Sequence, residues 1–431
     1  MTRAPVSAEV FTALARTRPA PNATAALRGA LHARRMLLVK SLLVRVDRQS
    51  AVLAPAVRRR FERDWALLVR AERADAAAVR EVVDYPMTGA WLTEALAAPD
   101  GPAFAVRLAH VGGVAVAAAV RAGCPVDGTL PTPSGALVLP GLGVLRCPSG
   151  HARLSGQPGL VRITDDAGHN DVLLPRPVAG PGGGAPGGIG RGPGWSALRT
   201  LPGSTVVLDD LDPYRVPPSG IGPQSLLAAE RPYSSYRMWA RRWREASALL
   251  SATDPDRAVE LRGLLRAVVP LAAAERPGGT SMGATLRSAP GAALTQLPDE
   301  GRELAESLVH ETHHSKLAAL DELVPLCRPG RGTAHHRVAW RSDPRPVPAV
   351  LQGAYAHLAL TDLWWRAGNG SRAPADWRLR ARERFEAQRE EVGEALSVLL
   401  ESDELTCAGR EFVQEMGRHH ASLGVTARNL L

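Results

Sequence analysis

Residues 299–324, DEGRELAESLVHETHHSKLAALDELV, decide how this chain is read. Leu304, Leu308, Leu317, Leu320 and Val324 recur at three- and four-residue spacing, Pro298 and Asp299 mark a start, and Pro325 marks a stop. The pattern predicts a helix with one buried stripe. Within it, His310-Glu311-Thr312-His313-His314 has the form H-E-x-x-H. Side chains four apart lie on one helix face with Cβ atoms roughly 5–6 Å apart, so His310 and His314 can converge on one metal ion through bonds of about 2.0–2.1 Å. Glu311, about 100° further round, can face a metal-bound water but is poorly placed to ligate beside both histidines. Such a short motif recurs by chance. Here an apolar stripe flanks it, and six of the twelve histidines lie between 310 and 357.

Two histidines leave a catalytic site one protein ligand short. Glu322, about 12 Å further along the axis from His314, cannot reach the same ion. His313 reads as a neighbour of the site rather than a ligand. The candidates elsewhere are His335, His336, Asp343, His357 and Asp362. His357 is the assigned third ligand, because a second helix, 347–367, packed on the first is a common way to complete such a site; Asp362 is the reserve. Between the two helices lies WRSDPRP, 340–346, whose proline-braced arginines suit bidentate carboxylate binding, Arg345 first and Arg341 second. Lys316 stands two residues past the motif, placed to pair with an acid on the same helix or reach an anionic ligand.

Working outward, residues 1–122 read as an N-terminal helical lobe, with helices over 24–46 and 53–81, a break at Tyr85-Pro86, a short helix around Trp91, and a helix apolar nearly all round over 108–121. Residues 123–222 form a β-rich segment of short alternating runs between Pro, Gly and Asp. It contains AGPGGGAPGGIGRGPG, 179–194, expected to be a flexible loop; it lacks the strand-turn-helix context of a phosphate cradle. Asp209, Asp210 and Asp212 read as turn chemistry rather than a calcium loop. From 223 to 431 a C-terminal helical lobe is expected, with helices at 223–250, 255–275, 299–324, 347–367, 374–400 and 408–421, and a hairpin or edge strand over 278–297. The fold class is α+β, predominantly helical.

The chain has 431 residues and a net charge of +9, from 52 basic and 43 acidic side chains. That length implies more than one lobe. Only Lys40 and Lys316 are lysines, and the other 50 basic residues are arginine spread over the whole chain, as a GC-rich coding bias produces. The charge therefore argues for no nucleic-acid partner. Cys124, Cys147, Cys327 and Cys407 are far apart, which fits a reducing cytosol rather than a disulfide framework. No secretory signal is evident, and the longest apolar run is short of the roughly 20 residues of a membrane span. A soluble, cytoplasmic protein with no membrane partner is the expectation.

HETHHSKL, WRSDPRP and LQGAYAHLALTDLWW together resemble the C-terminal core of the HExxH-motif peptide-modification proteins that accompany ribosomally made natural-product clusters. The likeness spans about 290–367, and PGAALTQLPDEGRELAESLVHE and LDDLDPYR share it more weakly. The resemblance implies an iron(II)- and 2-oxoglutarate-dependent peptide β-hydroxylase acting on a precursor peptide. It implies His310 and His314 as iron ligands and Glu311 in the motif's acidic position. His357 as third ligand and Arg345, Arg341 and Lys316 as anion-binding groups follow from position. Two alternatives stand beside it. A zinc metallopeptidase would use Glu311 as general base and need no carboxylate clamp. An inert peptide-binding scaffold would keep the motif helix for folding alone.

Overall fold

The computed structural model describes residues 6–177, 188–222, 225–231, 234–272, 282–330 and 335–424. Helix accounts for 55% and strand for 17%, with helices at both ends and strands between them, an α+β and mostly helical fold.

The N-terminal helices are α1 (Ala8–Ala15), α2 (Pro21–Arg48), α3 (Pro55–Ala74), α4 (Ala76–Val83), α5 (Pro86–Ala97), α6 (Pro102–Leu108) and α7 (His110–Ala122). Four of them, α2, α3, α5 and α6, open on proline, whose fixed φ suits the first turn. The single helix expected over 53–81 is two. Asp75 ends α3 and caps α4, its carboxylate accepting from the Ala78 amide at 3.0 Å. A side-chain cap there competes successfully with helix continuation. Every residue of α7 from Val111 to Val120 is buried. The stretch Pro102–Ala122 is long and apolar enough to cross a membrane, but it is two helices and two-thirds buried inside the protein, so it is a core element.

The middle segment supplies β1 (Asp127–Pro131), β2 (Ala136–Leu139), β3 (Gly143–Arg146), β4 (His151–Gln157), β5 (Leu160–Asp165), β6 (Asp171–Pro175), β7 (Trp195–Ala197), β8 (Arg199–Thr200) and β9 (Val207–Leu208). They build an antiparallel sheet β1-β4-β5-β6 and a smaller one, β2-β3-β7. Alternate residues of β4, β5 and β6 are buried, as one core-facing side requires. Of the glycine-rich stretch, 179–187 lies outside the described residues. The remainder is not the free loop expected. Arg191 bridges Leu173, and a Cβ on Gly192 would lie 2.0 Å from the Asp171 carbonyl oxygen, so glycine there permits close backbone packing on β6. The aspartates do form turns: Asp209 accepts from the Leu211 and Asp212 amides, and Asp212 from Tyr214.

Beyond residue 222 come α8 (Tyr236–Thr253), α9 (Pro255–Leu264), β10 (Ala267–Pro270), β11 (Gly283–Ala284), β12 (Ala292–Thr295), α10 (Gly301–Leu323), β13 (His335–Val338), β14 (Arg341–Pro346), α11 (Val347–Asn369), α12 (Ala375–Glu401) and α13 (Cys407–Ser422). Two expectations need correction. The 223–250 helix begins only at Tyr236, after isolated bridges at Ile221–Leu226 and Ala228–Leu271. The 255–275 helix stops at Leu264 and gives way to β10, while 273–275 lie outside the described residues. Ala267-Val-Val-Pro270 is buried at all four positions, and a run apolar on every side has no period to separate strand from helix. The 278–297 expectation holds for the described part: β11 and β12 pair antiparallel. They belong to a five-stranded sheet, β11-β12-β10-β9-β8, in which β9, β10 and β12 run parallel.

The hydrophobic cores cross the boundaries drawn at 122 and 222. Phe11, Leu14 and Leu27 of the N-terminal segment pack with Trp239, Trp243, Leu308, Tyr355 and Phe412 of the C-terminal one. The second half of α2 and helices α3–α7 share a core with the antiparallel strands. A third cluster joins Tyr85, Met87 and Ala90 to the parallel sheet. The motif helix α10 lies between α8, α9 and α11, with the β11–β12 hairpin along one side.

Candidate metal centre

Helix α10 presents three charged or polar sectors, and each meets a different neighbour. At about 100° per residue, His310 and His314 share one sector, Glu311 lies about 100° round in one direction, and His313 and Lys316 share a sector in the other.

The first sector faces α11. The Nε2 atoms of His310 and His314 are 3.0 Å apart. His314 Nδ1 lies 3.1 Å from Oε1 of Gln352, which can only accept, so Nδ1 carries the proton and Nε2 is left as a lone-pair donor. The His357 ring centroid is 5.0 Å from that of His310. Trp340, between β13 and β14, stacks on His357 at 4.4 Å and 29°. The indole fits because residue 353 is glycine: a Cβ there would lie 2.8 Å from Trp340 Nε1. Burial pushes the pKa of His310 well below the ordinary imidazole value, with His314 and His357 adding to the effect. Burial also lowers His314 and takes His357 down to about 4. All three rings are neutral at neutral pH, the state in which imidazole ligates.

Two nitrogens held about 2.1 Å from one ion at a right angle would be about 3.0 Å apart, which is the separation of the His310 and His314 Nε2 atoms. The spacing fits adjacent positions on a metal as well as a hydrogen bond between the two rings, and Gln352 is placed to orient His314 from behind. Among the described residues, no three His, Cys, Asp or Glu side chains form a complete metal-holding group. His357 stands beside the pair, its Nδ1 buried without a hydrogen-bond partner.

The second sector faces β11. Glu311 is buried, and its Oε2 accepts from Thr285 Oγ1 at 2.6 Å. A Cβ on Gly283 would lie 2.6 Å from Glu311 Oε1, so the glycine makes room for the carboxyl. Burial raises its pKa to about 7, against the Thr285 hydrogen bond that lowers it.

The third sector faces α9 and accounts for two residues singled out in the sequence. His313 Nδ1 donates to the Val309 carbonyl at 2.8 Å, and its Nε2 lies 3.2 Å from Arg257. It is a satisfied core histidine. Lys316 Nζ lies 2.8 and 2.9 Å from the two carboxylate oxygens of Glu260. Neither use expected of Lys316 is present: its partner is an acid of another helix, and the buried pair leaves the ammonium closed to an anionic ligand. Asp362, the reserve ligand, is likewise engaged elsewhere: Arg257 reaches it at 2.5 Å and Arg366 at 3.1 Å.

The arginine pair lies on β14, where residues two apart point the same way. Arg341 and Arg345 both bond Asp343 between them, at 3.0 Å each, and hold its carboxyl below the usual range. Arg345 is 40% exposed. His336 pairs in register with Arg345, and His335 with Pro346, so both histidines belong to the hairpin rather than to the α10–α11 contact. Trp340, Gln352 and Thr285 escaped the sequence reading. Their contacts join elements distant in the chain, and none carries a spacing signature; the one available hint was that Trp340 heads the WRSDPRP string.

No known family model matches the chain, and no curated protein matches its sequence.

Proposed function

We propose that this protein is a cytoplasmic iron(II)- and 2-oxoglutarate-dependent oxygenase that hydroxylates a side-chain β-carbon in a ribosomally made precursor peptide. The observation that carries the reading is the His310–His314 pair, with both Nε2 atoms converging and Gln352 holding the His314 tautomer. Iron(II) bound there, with 2-oxoglutarate and oxygen, supplies the oxidising power to hydroxylate an unactivated carbon, releasing succinate and carbon dioxide. His310 and His314 hold the metal, and His357 is the third ligand. Trp340 covers His357 and keeps water from that side. Arg345, seconded by Arg341, receives a co-substrate carboxylate in exchange for Asp343. Glu311 occupies the motif's acidic position, its carboxyl held by Thr285. The strand β11, last in its sheet and packed beside Glu311, offers an extended peptide a backbone to pair with.

The test is anaerobic reconstitution of the full chain with iron(II), followed by 2-oxoglutarate, oxygen and the peptide encoded beside the gene. The expected product is peptide heavier by one oxygen atom, with succinate formed in equal amount. Peptide cleavage with zinc alone and no succinate would replace this reading with the metallopeptidase. Failure to bind any divalent metal would leave the scaffold.

A further inference from the structure

Helices α2 and α5 lie side by side and run the same way. Arg45, near the end of α2, bonds the carbonyls of Ala95 and Leu96, near the end of α5, at 2.8 Å each. Arg35, earlier on α2, lies on Gly89 near the start of α5. A Cβ on Gly89 would fall inside the guanidinium, closest to Nη1 and Cζ, so the glycine is what seats it.

Arg35 is only 5% exposed, yet among the described residues its side chain makes no hydrogen bond and no ion pair. Its Nε is shut off from solvent as well as unpaired, so the terminal nitrogens are what remains open to a ligand. Asp84, the acid whose charge acts on it, is bonded instead by His32 at 2.8 Å and Arg80 at 3.1 Å. Burial pulls the Arg35 pKa down to about 10, against Asp84, so the group keeps its proton and its charge at neutral pH. A buried charge is ordinarily held where a partner repays its lost hydration. The buried Arg257 shows the usual arrangement, paired with Asp254 and Asp362. Arg35 has the burial without the partner.

Two further arginines stand round the same helix end. Arg266, in the link between α9 and β10, passes beside Pro86, the first residue of α5: the Cγ atoms of both lie 3.7 Å from where a Cβ on Gly291 would be. Pro86 and Gly89 are three apart and so share a face of α5, which brings Arg266 and Arg35 to neighbouring places on it. Arg28 is one heptad before Arg35 on α2 and therefore lies beyond the start of α5. Burial and the charge of Arg28 lower the Arg266 pKa, against Glu81 and Asp84. Among the described residues neither the Arg28 nor the Arg266 side chain has a hydrogen-bond or ion-pair partner. The first turn of α5 has no side-chain cap, which leaves the positive end of its dipole unanswered. Three guanidinium groups and a helix N-terminus call for a doubly charged ligand rather than a lone carboxylate.

We infer that the recess at the start of α5 binds a phosphate-class oxyanion, free or as the end of a small phosphate ester, with the Arg35 fork as its main donor and Arg266 and Arg28 at the rim. The site is separate from the metal centre and does not depend on its chemistry.

The probe is radiolabelled inorganic phosphate in equilibrium dialysis against the full chain, at an ionic strength fixed with sodium chloride. One saturable site per chain is expected, competed by sulfate and by glycerol phosphate but not by acetate. Arg35→Met should weaken it about tenfold or more. Gly89→Ala should do the same, since it keeps every charge but occupies the seat of the guanidinium. Arg266→Met should weaken it less. In phosphate-free buffer Arg35→Met, relieved of an unmatched charge, should melt no lower than the natural chain, and it should lose the rise in melting temperature that phosphate gives. Circular dichroism checks that each variant is folded, and Arg266→Met carries the test if Gly89→Ala does not fold. Absence of a saturable site, or its retention in folded Arg35→Met, overturns the inference. So does an Arg35→Met that melts well below the natural chain without phosphate, since Arg35 would then have a partner inside the protein. Competition by glycerol phosphate below the concentration of phosphate itself assigns the ligand to an ester, and the reverse order to the free ion; both support the site.

Discussion

Lys316 and Glu260 form an ion pair closed off from solvent on both sides, the ammonium at 2.8 and 2.9 Å from the two carboxylate oxygens and the side chains 0% and 2% exposed. Together with Arg257 on His313, it ties α9 to α10 and sets which way the motif helix is turned. An isolated charge left in such a place is costly, whereas an apolar pair of similar volume is tolerated. Glu260→Leu should therefore destabilise by about 3–5 kcal/mol, and the double variant Glu260→Leu/Lys316→Met should regain most of that. Urea unfolding midpoints decide it; a single variant as stable as the natural chain would show that the pair contributes nothing.

His314→Ala removes one of two converging nitrogens but none of the apolar stripe that buries α10, since Leu304, Leu308, Leu317 and Leu320 remain. Metal binding should be lost with helix content and melting behaviour kept, as read by metal analysis and circular dichroism on one sample. Gln352→Ala should weaken metal affinity by about 10–100-fold without abolishing it, the usual effect of removing a group behind a ligand.

On the proposed oxygenase reading, Arg345→Ala should raise the 2-oxoglutarate concentration needed for half-maximal turnover at least tenfold while leaving stability within about 0.5 kcal/mol, as for an exposed substitution. Arg341→Ala should do the same more weakly. Unchanged 2-oxoglutarate dependence in both would move the carboxylate clamp elsewhere.

Asp64 gives stability a pH dependence. Its Oδ2 is buried without a partner, and burial lifts its pKa from 3.8 to about 6 against the pull of Arg60. The folded state then holds this proton more tightly than the unfolded one. Its contribution is fully present below about pH 4 and is lost as pH rises through about 6, amounting to up to about 3 kcal/mol. Asp64→Asn should lack this loss, so the stability difference between variant and natural chain should grow from pH 4 to 7.5 and then level off. Chemical denaturation across that range measures it, and a constant difference would refute it.

Gly113 sits where α7 presses on β2, and a Cβ there would lie 2.1 Å from the Val138 carbonyl oxygen. Gly113→Ala improves helix propensity by about 1 kcal/mol but forces helix and sheet apart. A net loss of about 1–3 kcal/mol is expected, as for overpacking. A thermal midpoint at or above that of the natural chain would contradict it.

Helices α2, α12 and α13 were legible because each buries one face, and a one-sided helix writes a period near 3.6 into its residues; α10 and α11, buried nearly all round in their middle, were legible from their length and their flanking prolines. The strands β4–β6 wrote a period of 2 for the same reason. β10 was misread because burial on every side erases period, and α3–α4 because one capping aspartate outweighs a continuous pattern.

At the site, the pairing of His310 with His314 was settled locally, by four residues of one helix. What surrounds the pair was settled by packing. Gln352 is 38 residues from His314, and Glu260 is 56 from Lys316. Whether Lys316 meets an acid or an open site, whether Glu311 lies against a strand or free, and whether Asp362 or His357 stands next to the His310–His314 pair all depend on which helices lie against α10. Contacts between segments so far apart impose no spacing on either, so they leave no mark in the linear order of residues; they exist only once the cores have closed.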